Sequence, residues 1–123
     1  MGLSVRHRLK RRRDFQAVYE RGIRRYSRNL IFIALLVDSE LENKPYPTKI
    51  GISIGRKVSK KAVIRNRIKR QIKGVMRQQL PHMSNNWHIV VVVRPSAIEC
   101  KYEHFLRELN QLLIKTGIII HGH

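Results

Sequence analysis

A chain of 123 residues has room for one core, and 42% hydrophobic residues are enough to build it, which excludes global disorder. Against 26 Lys and Arg stand only eight Asp and Glu, a formal charge of +18, so the surface repels itself unless a polyanion is its partner. A single cysteine excludes an intrachain disulfide, and no apolar run approaches the ~20 residues that span a bilayer, so the expectation is a cytoplasmic protein without membrane contact.

Residues 1–13 read as a cationic arm, Arg6-His7-Arg8-Leu9-Lys10-Arg11-Arg12-Arg13, with no apolar stretch behind the charge to make it a secretory signal. A short helix follows, with Phe15, Val18 and Tyr19 at i, i+3 and i+4 and Gly22 placed to end it. Ile31 to Val37 is a strand apolar on both faces, hence covered on both. Asp38 to Pro47 is a polar connection. Lys49 to Gly55 alternates, with Ile50, Ile52 and Ile54 toward a core and Gly51, Ser53 and Gly55 on a nearly bare face that lets another backbone approach.

Ala62 to Leu80 is a helix with Ile64, Ile68, Ile72, Val75 and Met76 on one stripe and Pro81 past its end. Trp87 to Val93 is a buried strand closed by Pro95, and Ser96-Ala97-Ile98-Glu99 has the spacing of a capping box. That box would open a last amphipathic helix facing inward through Tyr102, Phe105, Leu106, Leu109, Leu112 and Leu113, with Gly117 as its cap. Residues 118–123 are a tail; Ile118 to Ile120 either add a short strand or pack loosely. The order is helix, strand, strand, helix, strand, helix, an α+β (αββαβα) sandwich in one domain, with the strands at 49–55 and 87–93 parallel if they share the sheet.

The charge is unevenly placed. No carboxylate lies between Asn43 and Ile98, and Arg56 to Arg77 holds ten Lys or Arg. With the apolar stripe against the sheet, Arg67, Arg70, Lys73 and Arg77 point away from it and Arg65 and Lys69 lie on the border. Asn66 adds a neutral donor and acceptor. A solvated helix face normally mixes both signs to gain i,i+4 pairs; an unmixed ladder points to phosphates instead.

Arg65-Asn66-Arg67-Ile68-Lys69-Arg70, preceded by Arg56-Lys57-Val58-Ser59-Lys60-Lys61-Ala62-Val63-Ile64, resembles the RNR motif of the protein subunit of bacterial ribonuclease P. The resemblance extends to Arg8-Leu9-Lys10 through Asp14-Phe15, to Gly22, to Gly51-Ile52-Ser53-Ile54 and to Arg94-Pro95. It implies a mixed sheet with a left-handed βαβ crossover, like the second domain of ribosomal protein S5 and against the usual hand. It further implies a ribonucleoprotein that removes the 5′ leader of precursor tRNA, with hydrolysis carried by the RNA subunit and its Mg²⁺. The implied partners are ribonuclease P RNA and precursor tRNA, with no organic cofactor, no protein-held metal and no obligate protein partner.

By the resemblance, Arg65, Asn66, Arg67, Lys69, Arg70 and Lys73 bind the RNA subunit. The leader lies in a cleft of Phe15, Tyr19, Phe32, Ile33, Ser53, Arg56, Lys57 and Arg94. Spacing alone favours Phe15 and Tyr19 as core anchors of their helix; the resemblance turns both rings toward unpaired bases. Relatives often present an aromatic ring where Ile33 stands, with Phe32 adjacent, so the strand's share of stacking is an open question.

No catalytic constellation stands out: the carboxylates form no evident pair, Cys100 has no activating neighbour in sequence, and the six histidines are scattered. His121-Gly122-His123 reads as a frayed tail rather than a metal site. The competing class is a non-enzymatic binder, a ribosomal protein or a basic DNA-binding module. Phosphate contacts alone do not separate the two, but paired aromatics beside small residues favour a single strand over a duplex.

Overall fold

The computed structural model describes residues 3–37 and 46–119. In chain order these form α1 (Arg12–Arg21), β1 (Ile23–Tyr26), β2 (Leu30–Leu36), β3 (Lys49–Ser53), α2 (Ala62–Gln79), β4 (Trp87–Val93) and α3 (Tyr102–Lys115). The strands make one mixed sheet in the order β1-β2-β4-β3, with β3 and β4 parallel and the other pairs antiparallel. The expected parallel βαβ pair is therefore adjacent in the sheet.

The period-2 alternation of the strands divides the apolar side chains between two layers. Phe32, Ala34, Ile50, Ile89 and Val91 turn to one face and meet Ile68, Ile72, Val75 and Met76 of α2 and Phe105, Leu109, Leu112 and Leu113 of α3. Ile33 and Val90 turn to the other and lie under α1, packed with Leu9 and Val18 and flanked by Phe15 and Tyr19. β2 and β4 are apolar on both faces because both faces are covered. No described helix is long and apolar enough to cross a membrane.

Two features go beyond the sequence reading and one expectation is corrected. The edge strand β1 was not foreseen. Ile23-Arg24-Arg25-Tyr26 is short, half cationic and exposed at all four residues, so no amphipathic period marks it; pairing from Ile23 with Ala34 to Tyr26 with Ile31 creates it. The cationic arm packs against the fold. Leu3 is buried in the main core and Leu9 under α1, the Leu9 N–H donates to the Ile50 carbonyl at 3.0 Å, and His7 Nδ1 lies 2.8 Å from the Thr48 carbonyl oxygen. The arm thus lines the outer edge of β3 and protects it from strand addition.

The corrected expectation concerns Ser96 to Glu99. Pro95–Glu99 is a separate 3-10 turn whose Ser96 Oγ donates to the Arg28 carbonyl at 3.1 Å, and α3 begins only at Tyr102. There the Lys101 N–H donates to His104 Nδ1 at 2.9 Å. Gly117 does cap α3 in the left-handed region (φ 77°), with the Gly117 N–H on the Ile114 carbonyl and the Ile118 N–H on that of Leu113. Ile118 and Ile119 then pack into the core, and Ile119 bridges Met83. The connection at 38–45 and the tail at 120–123, with His121-Gly122-His123, fall outside the described residues.

Candidate nucleic-acid interface

α2 buries Ile68, Ile72, Val75 and Met76 and leaves Asn66, Arg70 and Arg77 exposed, with Arg65, Arg67, Lys69 and Lys73 half-buried along the flanks. Two of these cations are held in place. Arg65 Nη1 donates to the Ser59 carbonyl at 2.9 Å, fixing the approach to the helix. Arg67 Nη2 donates to the Ile98 carbonyl at 3.2 Å while its Nε is buried without a partner. Arg67 therefore leans on the 95–99 turn rather than standing clear of the fold. Helical period places a side chain around its own axis but is blind to a neighbour from a later segment.

On the opposite side of the sheet, register sorts the expected cleft residues. Arg24, Ile33, Val90 and Gly51 form one row across the four strands, and Tyr26, Ile31, Val92 and Ser53 the next. α1 lies over the first row: Ile33 and Val90 are fully buried. Gly51 is covered as well, since a Cβ there would come within 2.6 Å of Phe15 Cε1. The second row is open, with Ile31, Val92 and Ser53 half-exposed and Tyr26 exposed.

The bare face of β3 is thus not free along its length. Phe15 fills the Gly51 notch, and the open groove begins at Ser53. Phe15 and Tyr19 remain half-exposed and border it. Ile33 is floor beneath α1 rather than groove lining, and Phe32 is wholly buried on the other face, in the α2–α3 core. Neither offers a surface to a base. The reason is parity: adjacent strand residues face opposite ways, so Phe32 and Ile33 never lie on one face.

Arg56, Lys57 and Arg94 are exposed where the parallel strands β3 and β4 end, at the same end of the sheet as the open row. Arg94 Nη1 donates to the Ser27 carbonyl at 3.1 Å, tying that end to the β1–β2 turn. α2 starts from this end too, so Arg65 and Arg67 in its first turns lie at the same end of the sheet as the groove, across the sheet from it. The sequence did not single out Arg24, Tyr26, Ile31 or Val92; only the pairing of β1 and β2 reveals them.

Glu108 of α3 is turned to structure. Its carboxylate accepts from Ser27 Oγ at 2.5 Å, from the Asn29 N–H at 2.9 Å and from Asn29 Nδ2 at 2.6 Å, clamping the β1–β2 turn. A cleft of about 580 Å³ opens beside this clamp on the α3 side, lined in part by Arg28, Ile98, Cys100, His104 and Arg107. Burial, then the nearby Glu108 charge, raises the Cys100 pKa, so the thiol is a poor nucleophile. Burial lowers the pKa of His88, against a weaker opposing pull from Asp14 and with a small push from Lys49. Among the described residues no group of three or more His, Cys, Asp or Glu is placed to hold a metal ion.

The family model described as Ribonuclease P matches residues 3–117. The chain belongs to the ribonuclease P protein family. The ribonuclease P protein component of Microcystis aeruginosa is 54% identical over 123 residues, covering all of both chains. That of Rippkaea orientalis is 54% identical over 123 residues, 100% of this chain and 95% of its own. Among solved structures, the RNase P protein of Staphylococcus aureus superposes with a TM-score of 0.79 at 25% identity, over 92% of this chain and 97% of that one. The RNase P protein of Thermotoga maritima, at 23% identity, shares the fold with a TM-score of 0.74 over 89% and 96% of the two chains. The family assignment gives the chain a role in the ribonuclease P endoribonuclease complex and in tRNA processing.

Proposed function

We propose that this chain binds the RNA subunit of ribonuclease P through α2 and holds the single-stranded 5′ leader of precursor tRNA in the groove between α1 and the sheet. The observation that carries the reading is the shared end of the fold. The first turns of α2, with Arg65 on the Ser59 carbonyl and Arg67 on that of Ile98, start at the end of the sheet where the open row Tyr26, Ile31, Val92 and Ser53 and the exposed Arg56, Lys57 and Arg94 lie. Lys69, Arg70 and Lys73 carry the cations on along the helix. One structured RNA and one extended strand can then be gripped together. Arg67 and Asn66 complete the α2 set, Arg67 from its seat on the Ile98 carbonyl.

Each part has a physical role. Cations along α2 displace counterions from phosphates, which gives affinity without sequence preference. The groove suits an unpaired strand: its floor is made of small and β-branched side chains, and the half-exposed rings of Phe15 and Tyr19 offer stacking surfaces. Hydrolysis with Mg²⁺ falls to the RNA subunit; this chain's surface is cationic and supplies binding and orientation. The work is assigned to the cytoplasm, in keeping with a single cysteine that has no partner in the chain for a disulfide.

The deciding experiment is reconstitution with the RNA subunit and a precursor tRNA. The protein alone should cleave nothing, and adding it at low Mg²⁺ should restore cleavage that the RNA alone then performs poorly. Failure to restore cleavage under those conditions overturns the reading.

A further inference from the structure

Among the described residues, β1 is the strand of the sheet exposed along its whole length. All four of its residues are exposed, and Tyr26 keeps 61% of its surface open, as much as any aromatic side chain in the described fold. Register fixes the side it takes: Tyr26 lies opposite Ile31, Ile31 opposite Val92, and Val92 beside Ser53. Its side chain therefore belongs to the groove face, at the end of the open row farthest from β3.

The strand beneath the ring is also anchored at both ends. On one side Arg24 Nη2 donates to the Tyr19 carbonyl at 2.9 Å, binding β1 to the end of α1. On the other, the turn that follows Tyr26 is held by Arg94 on the Ser27 carbonyl and by Glu108 on Ser27 and Asn29. Binding at the ring therefore need not order the strand that carries it. The ordinary alternative, a ring that merely shields its own sheet, fits poorly with 61% exposure.

We propose that Tyr26 is a base-stacking platform, and that the RNA strand in the groove crosses the full width of the sheet from Ser53 on β3 to Tyr26 on β1. The inference rests on the leader-binding reading above and adds the extent of the footprint. Three strand spacings give a floor about 14 Å wide, comparable to the width over which other four-stranded RNA-binding sheets stack two or three bases. The flanks suit the same ligand: Arg24, two residues before Tyr26, and Arg94, bonded to the Ser27 carbonyl, are exposed. The carboxylate at the following turn, Glu108, is occupied by Ser27 and Asn29. An unpaired strand with phosphates outward and bases toward the sheet matches both the ring and its cations.

The test uses the reconstituted complex with precursors carrying a long leader, a short leader or none. Tyr26→Ala should weaken binding of the long-leader precursor by about tenfold, the loss of one stack, and leave mature tRNA and RNA-subunit affinity unchanged. Tyr26→Phe should restore binding, because the ring and not the hydroxyl does the stacking. An abasic nucleotide at one leader position should cost the wild-type complex the same factor and cost the Tyr26→Ala complex nothing further. Tyr19→Ala is the control for the groove itself. If it loses leader-dependent affinity while Tyr26→Ala does not, the platform is refuted and the groove stands. If neither variant responds to the leader, both readings fall. A Tyr26→Ala variant that alters self-association and leaves RNA binding intact would also refute the platform, making β1 a protein-pairing edge.

Discussion

Gly51 illustrates how one residue decides what a surface is for. A strand position without a side chain reads as space for a ligand, yet the space is taken by the ring of Phe15. Gly22 makes a similar close approach, where a Cβ would meet Ile33 Cγ2 at 2.7 Å. Together the two glycines seat α1 directly on the sheet and leave the groove to begin one row further on. His88 is the residue whose chemistry leaves a trace in solution. It is 6% exposed, its Nε2 is buried without a partner, and its pKa lies below the ordinary value. The unfolded chain therefore takes up a proton on His88 near pH 6.5 before the folded chain does. Its contribution to stability is complete above that pH and drains away as the pH falls through it toward the lowered folded value. Urea denaturation from pH 7 to 5 should show this loss, and His88→Gln should flatten the part of the slope that it contributes.

At the scale of the elements, the β1–β2 turn depends on α3. Glu108 accepts three hydrogen bonds from Ser27 and Asn29, and Asn29 is 8% exposed. Removing the carboxylate strands these donors, so Glu108→Ala should cost about 2 kcal/mol. It also removes a charge that raises the Cys100 pKa. Thiol alkylation at a fixed mildly alkaline pH should consequently accelerate in the variant; an unchanged rate would mean the two groups do not sense each other. The elements that sequence alone makes legible are those with strong apolar periods: α2 starts at the expected Ala62, and β4 occupies the expected Trp87–Val93. The groove is only half legible for the same reason. Its aromatic border shows in the i, i+4 spacing of Phe15 and Tyr19. Its far wall is set by a four-residue cationic strand that has no period, and cross-strand register alone brings Tyr26 beside Ile31. Phe32 and Ile33 misled for want of the overlying layers, since parity puts them on opposite faces and both faces are closed.

For the whole molecule, a charge of +18 on 123 residues makes salt the natural probe of where RNA sits. If α2 is the main contact, replacing Arg65, Arg67 and Arg70 by Ala should lower RNA-subunit affinity. The slope of log affinity against log salt should flatten by about two to three, at just under one per phosphate contact. An unchanged slope would move the contact to another face. The route of the chain from β3 to α2 carries a mechanical consequence. Only residues 54–61 separate the last residue of β3 from the first of α2, and Val58, 5% exposed, is anchored in the core midway. That segment works as a ruler of fixed length. On the proposed function it spaces the RNA held by α2 from the strand held in the groove, so one inserted residue should leave each affinity intact and lower cleavage in the reconstituted complex.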